Sequence, residues 1–299
     1  MEIRLTNRYL SVVEAIAAQR VIQENFEIGR RSSPSEYKTS NELDLVLVTN
    51  TVLRQEFEEL GIGDLFEDID PSRIHFLDKD EYQYQFPGSK GDAVNVSHLG
   101  MLEINRNYYS ENPYEMVFIY LHEAIHLTSF NRLRYDPEKG VILPKEVGFS
   151  RITNSPIALD AFVGFNEAVC DLSARRIQEK YIKLFYPDVE PTDQHLLIGT
   201  YPQELEVLEA IVEGIADFNS ESPVDVWLRF YKAQFTGDIS SLKEVERVFG
   251  NGSLRILARL GLENLNENLS DEQKSQIKSE IRDYFIGKRT INAYKRNNS

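Results

Sequence analysis

The sequence predicts an α+β fold that is predominantly helical, with a small mixed β-sheet and a helical C-terminal half. Short β-branched or alternating runs occur only in its first half, whereas apolar residues beyond residue 161 recur at helical spacing. Hydrophobic residues make up 41% and charged residues 27% of the 299, a composition typical of a globular chain with a core. We expect three consecutive parts, at 1–100, 101–185 and 186–299, which could also form one domain.

The first hundred residues predict mixed helices and strands. Apolar spacing predicts an amphipathic helix over 11–23 and a second helix over 51–60, which ends at Gly61. Runs of β-branched or alternating apolar residues predict strands at 43–48 (LDLVLV), 74–77, 82–86 and 100–106.

The second half predicts one hairpin followed by helices. The hairpin strands are expected at 141–143 and 147–149, on either side of residues 144–146. Basic residues near the C-terminus, among them Lys288 and Arg289, suggest a solvated, frayed end. Helices are predicted over 162–185, 203–218, 224–235, 240–249, 252–260 and 271–286.

Charge and composition exclude several classes of partner. The formal net charge of −15 opposes binding to a phosphate backbone, so we expect no nucleic-acid partner. No run of about 18 apolar residues is present, so we expect no membrane insertion. The lone Cys170 cannot form a disulfide within the chain, and Glu14 interrupts the first apolar stretch, which lacks a signal-peptide pattern. We therefore expect a cytoplasmic protein, and composition does not indicate its oligomeric state.

The chemistry is concentrated in a predicted core helix. Residues 112–115 (NPYE) provide an N-cap, a proline at the first helical position and a glutamate three residues after the cap. The residues that follow are apolar on nearly every side, as in a helix buried within a core. His122, Glu123 and His126 fall in this apolar setting.

The HEAIH spacing predicts a metal site. His122 and His126 lie four residues apart on one helix face, with Cβ atoms about 6 Å apart, so both imidazoles can bind one ion. Glu123 lies about 100° further round the helix, where it can hydrogen-bond a water held by the metal. The alternative is a chance string in a core helix, but burying three ionisable groups is costly unless a cation compensates them.

A catalytic zinc site needs a third protein ligand and an open position. The HExxHxxGxxH pattern would require glycine at 129 and histidine at 132, but the chain has Ser129 and Arg132. That class of metallopeptidase is therefore excluded.

A second motif, NEAVCD at 166–171, lies in another helical segment. With HEAIH it resembles the thermolysin-like, or gluzincin, metallopeptidases, whose second helix carries NExxxD. The resemblance covers about 60 of the 299 residues, from Asn112 to about Arg175, with a longer interval between motifs than in that family. It implies a zincin-like core over 101–185, with Glu167 as the third zinc ligand and Asp171 orienting the first histidine. Their spacing of four places both carboxylates on one helix face, which could otherwise be an ordinary solvated face.

The resemblance implies a zinc-dependent metallopeptidase that hydrolyses a peptide or protein substrate with a metal-activated water and Glu123 as general base. Two alternatives stay open: a catalytically inactive zincin-like binding or regulatory protein, and a metal hydrolase of non-peptide substrates. The strand at 100–106 could be an edge strand that pairs with a peptide or an ordinary internal strand. Candidate donors to the oxyanion, none of them favoured, are His98, Tyr108, Tyr109, His195 and Tyr201.

Overall fold

The computed structural model describes residues 3–5, 12–31, 38–86, 93–96, 100–106, 113–151, 161–186, 201–261 and 269–297. Its fold is α+β and predominantly helical, which confirms the predicted fold class. None of the described helices is long and apolar enough to cross a bilayer.

The described strands form two small sheets. Their order is β2-β4-β3 in one sheet and β1-β5-β6-β7 in the other. β4 runs parallel to β2 and antiparallel to β3, while β1 is parallel to β5 and β7 is antiparallel to β6. The strands are β1 (Ile3–Leu5), β2 (Ile74–Leu77), β3 (Ala93–Val96), β4 (Met101–Asn105), β5 (Asn131–Asp136), β6 (Val141–Val147) and β7 (Ser150–Arg151).

The helices predicted beyond residue 161 are confirmed, but the one predicted over 252–260 ends at Leu257 and the last one is longer than predicted. The helices are α1 (Val12–Arg31), α2 (Ser40–Glu59), α3 (Lys79–Gln85), α4 (Pro113–Thr128), α5 (Val163–Phe185), α6 (Pro202–Asn219), α7 (Pro223–Thr236), α8 (Ser240–Phe249), α9 (Ser253–Leu257) and α10 (Asp271–Asn297). The frayed end was a wrong prediction as far as Asn297, because α10 is helical to that residue, whereas the expected exposure to solvent is confirmed at Lys288.

The strand predicted at 43–48 is wrong, because these residues lie inside α2. A capping box starts that helix: Glu42 N donates to Thr39 Oγ1 at 3.3 Å, and Thr39 N donates to Glu42 Oε2 at 2.7 Å. The run LDLVLV looks like a strand in a six-residue window. The full helix buries Leu45, Val46, Val52, Leu53 and Phe57, which recur at helical rather than alternating spacing.

The strand predicted at 82–86 is also wrong, because Tyr82 and Tyr84 lie in α3 and Phe86 caps its end. A strand would place all three aromatic side chains on one face. In the helix Tyr82 is fully buried and contacts Phe86 with ring centroids 5.3 Å apart, whereas Tyr84 is 86% exposed. The spacing of four brings two rings together and turns the middle one to solvent.

The predicted hairpin is replaced by two neighbouring turns. Residues 144–146, expected to form the turn, lie inside β6 instead. The chain turns between β5 and β6 at Gly140 and between β6 and β7 at Gly148, where φ is +64° and +55°. Glycine tolerates this left-handed region, so the turns occur where the backbone can adopt it.

β4 is an internal strand of its sheet, and all five of its residues are buried. The internal alternative for the strand at 100–106 is therefore the one observed. Among the described strands, β3 lies at one end of this sheet and packs beside α4.

The chain divides into two compact units. The first comprises 1–145 and 173–198, and the second 146–172 and 199–299, so α5 contributes residues to both. In the first unit α4 packs on β3 and β4. In the second unit α10 packs along α6, where Lys278 Nζ lies 2.7 Å from the buried carboxylate of Glu204.

The first unit contains a buried pair of ionisable side chains between its parallel strands. His75 of β2 and Glu103 of β4 are register partners, with Nδ1 and Oε1 2.7 Å apart and side chains 1% and 4% exposed. His75 Nε2 lies 3.3 Å from the carbonyl oxygen of Ser72. The ring therefore contacts both the Glu103 carboxyl group and the backbone of Ser72.

Replacing His75 with leucine is expected to lower the free energy of unfolding by about 3–5 kcal/mol, because it leaves the Glu103 carboxylate buried beside an apolar group. Urea denaturation at pH 7 measures this loss. The double variant His75→Leu/Glu103→Leu is the control and should recover most of the stability, since no buried charge remains. A double variant as unstable as the single one would contradict this account.

Candidate metal centre

The helix α4 holds its two histidines in an apolar part of the first unit. Phe118, Leu121, Ala124 and Ile125 have no exposed surface, and His122 and His126 are 6% and 7% exposed. The same apolar burial raises the pKa of the Tyr120 phenol well above its ordinary value. The predicted core helix is confirmed over Pro113–Thr128, while Asn112, its expected cap, lies outside the described residues.

The two imidazoles face each other through their Nε2 atoms. These atoms are 3.1 Å apart, and the ring planes are inclined by 65°. Two nitrogens bound to one tetrahedral zinc ion at about 2.0–2.1 Å would be separated by about 3.3 Å. The observed spacing therefore fits two corners of a zinc site. It also fits one Nε2–H donating to the other Nε2, so a zinc site requires a third residue close to both nitrogens.

That residue is Glu167 of α5. One ring nitrogen from each histidine and one carboxylate oxygen of Glu167 all lie within 4.8 Å of one another. Ligand atoms about 2.0–2.2 Å from one tetrahedral ion are about 3.3–3.6 Å apart, so side-chain shifts of no more than about 1.5 Å close the set. Within the described part of the chain, this is the only such group of three.

Comparisons with protein-family models, curated proteins and solved structures found no match. The likeness to gluzincins therefore rests on the two motifs and on this cluster. Two imidazoles and one carboxylate form a donor set found in catalytic zinc sites, where the fourth position is open.

The remaining predicted residues lie on the same two helices. Glu123 is half-buried on α4, directly after His122. Asp171 has no exposed surface and Glu167 is half-buried, so the alternative of a solvated face for this pair is wrong. The roles of Glu123 as base and of Asp171 as partner of a ligand histidine stay predictions.

The candidates for oxyanion stabilisation gain no support. His98, Tyr108, Tyr109 and His195 lie outside the described residues. Tyr201 is the N-cap residue of α6, and no role in catalysis follows from that position.

The start of α5 is held by contacts that sequence reasoning missed. Phe162 N donates to Ala258 O at 3.1 Å, and Gly164 N donates to Leu260 O at 2.8 Å. A Cβ on Gly164 would lie 2.9 Å from Gly261 N, so these two backbones approach too closely for any larger residue. The only available signal was the pair of glycines, which lie 97 positions apart and so carry no local pattern.

Proposed function

We propose that this chain is a zinc-dependent metallopeptidase. The proposal rests on one observation. A possible ligand atom from each of His122, His126 and Glu167 lies within 4.8 Å of the other two, although the residues belong to two separate helices. Nitrogen and carboxylate ligands suit zinc, and three of them leave a tetrahedral ion one position for water or substrate. A buried cation would also compensate the ionisable groups collected in this apolar region.

Different residues of the chain would have separate roles in amide hydrolysis. A bound zinc ion would lower the pKa of a water molecule and polarise the scissile carbonyl. Because the histidines turn Nε2 towards each other, each must keep its ring proton on Nδ1 to offer a lone pair to an ion. Asp171 would accept one such N–H and fix the tautomer. Glu123 would accept a proton from the attacking water and return it to the leaving amine.

A peptide is the substrate class that the fold supports best. β3 lies at one end of the described strand order and packs beside α4, which carries HEAIH. Among the described residues no strand pairs with the other side of β3, and the outer edge of a strand can pair with the main chain of an extended peptide. This arrangement favours a peptide over a compact non-peptide substrate.

We also propose that the protein is cytoplasmic. Cys170 is the only cysteine of the chain and is fully buried, which suits a reducing compartment without requiring one. Fractionation of the native cells tests this location, and recovery of the chain outside the cytoplasm would contradict it.

Metal removal tests the enzyme proposal directly. Zinc-loaded protein is expected to cleave members of a broad peptide library, and treatment with a zinc chelator should abolish cleavage because the water loses its activating cation. Mass spectrometry of the digest measures both results. Adding zinc back should restore the same cleavage sites, while magnesium should not, since it prefers oxygen ligands in octahedral geometry. Cleavage that persists in metal-free protein, or its absence from zinc-loaded protein, would contradict the proposal.

A further inference from the structure

The amide of Asn166, the residue before Glu167, lies at a buried junction of hydrogen bonds in the second unit. Its Oδ1 accepts from Phe149 N at 2.9 Å and from Gln234 Nε2 at 3.1 Å. The same Nε2 of Gln234 lies 3.3 Å from Cys170 Sγ. One side chain of α7 therefore holds two positions of α5, one turn apart, that lie on either side of Glu167 in sequence.

The junction has no room to rearrange. Asn166 is 2% exposed and Gln234 is fully buried. A Cβ added to Gly148, in the turn after β6, would lie 2.2 Å from Gln234 Nε2 and 2.5 Å from Asn166 Oδ1. The hairpin backbone therefore packs directly against the two amides, and neither can move towards it.

Aromatic rings surround the same junction. Phe149, Phe165 and Phe230 contact one another, with ring centroids 5.2 to 6.2 Å apart. Phe165 precedes Asn166, and Phe230 lies one turn before Gln234. In such apolar surroundings water does not readily replace a lost hydrogen bond, so these bonds constrain α5 strongly.

A metal ligand needs this kind of constraint. A carboxylate oxygen lies about 6 Å from the axis of its helix, so a rotation of α5 by about 10° would move it by about 1 Å. Functional side chains have to be held within about 0.5 Å of their working position. Since Asn166 and Cys170 rotate together with Glu167, whatever fixes them fixes the direction of the ligand.

We propose that Gln234 is a positioning residue for Glu167, which it holds through Asn166 and thereby sets the affinity of the site for zinc. This inference rests on the proposed function, because it assumes that Glu167 is a ligand. It assigns the C-terminal helical part of the chain a role at the metal site, 67 residues beyond the ligand that it supports.

The test compares the zinc affinity of wild-type and Gln234→Leu protein, measured by competition with a chromophoric chelator at fixed pH. Leucine removes both hydrogen bonds at similar side-chain volume, and zinc binding is expected to weaken by about 10-fold, the lower end of the range for residues that orient ligands. Cobalt(II) substituted for zinc should show a changed visible absorption spectrum, because the ligand geometry changes. A purely structural role for Gln234 would leave that spectrum unchanged.

Asn50→Leu is the matched control for lost stability. Asn50 is a buried amide of α2 whose side chain also makes two hydrogen bonds, both to the backbone of Ile69 at 2.9 Å. Its loss should destabilise the fold to a similar degree but leave zinc affinity within about twofold, since α2 carries none of the proposed ligands. Equal weakening by Asn50→Leu and Gln234→Leu would overturn the inference.

A pair of glycine variants tests the same junction without touching Gln234. Gly148→Ala and Gly140→Ala impose a similar backbone penalty, because φ is +55° and +64°. Only the alanine at 148 would collide with the two amides, whereas a Cβ at 140 meets nothing within 4 Å. Gly148→Ala is expected to weaken zinc binding by about 10-fold and Gly140→Ala to leave it unchanged. This pair decides the matter if Gln234→Leu does not fold.

The two proposals fail in distinguishable ways. If wild-type protein binds zinc and both Gln234→Leu and Gly148→Ala bind it equally tightly, the inference is overturned and the proposed function stands. If wild-type protein binds no zinc, the proposed function fails and the inference fails with it.

Discussion

Wild-type protein is expected to hold about one zinc ion per chain after dialysis, and His122→Ala protein almost none. Removing one of three ligands should weaken binding by more than the 10- to 100-fold typical of residues that only orient a ligand. The remaining imidazole and carboxylate cannot enclose a tetrahedral ion by themselves. Elemental analysis gives the stoichiometry, and competition with a chelator gives the affinity.

Glu167→Gln protein is also expected to hold almost no zinc after dialysis, because an amide oxygen lacks the charge that makes carboxylate a ligand for zinc. Glu179→Gln is the matched control, since Glu179 lies on the same helix but is exposed to solvent. It should bind zinc as wild type does. Full zinc occupancy in either ligand variant would remove the site as described.

Glu123→Gln is expected to lower kcat/KM for peptide cleavage by about 10²- to 10⁴-fold while leaving zinc content unchanged. Glutamine has the shape of glutamate but cannot accept a proton from water at neutral pH, so the loss falls on proton transfer rather than on metal binding. Rates on a peptide identified from the library measure the effect. Glu115→Gln, in the first turn of the same helix, is the control and should retain activity.

The outcome for Glu123 also separates the alternatives. A zinc-loaded wild type that cleaves no peptide would point to a binding or regulatory protein, or to a hydrolase of another substrate. A Glu123→Gln variant that retains both zinc and full activity would mean that another residue accepts the proton. Either result would leave the metal site intact, because neither depends on how zinc is bound.

Part of the candidate site could be predicted from the sequence, because the distance between its two histidines depends only on their spacing along one helix. Residues four apart share a helix face wherever the helix lies, so HEAIH placed His122 and His126 together before any tertiary contact was known. Glu167 could not be found in this way. It lies 41 residues beyond His126, and only the resemblance of the second motif indicated it.

The errors in the predicted fold have a common physical cause. Residues 43–48 and 82–86 look like strands in windows of five or six residues, where a buried helix and a strand share the same composition. The capping box at Thr39 indicates a helix only when a longer stretch of sequence is considered. The exposure of Tyr84 indicates one only when the burial of each residue is known. The glycines at 140 and 148 locate the actual turns better than Pro144 does.

The sequence by itself determined the features that depend on neighbours along the chain: the helices beyond residue 161, the paired histidines and the acidic net charge. Tertiary structure alone decided which distant side chains lie close together. It brings Glu167 near the two imidazoles, and it forms the hydrogen bond from Gln234 to Asn166. These contacts depend on how helices distant in sequence pack together, and the spacing of apolar residues within one helix does not specify that packing.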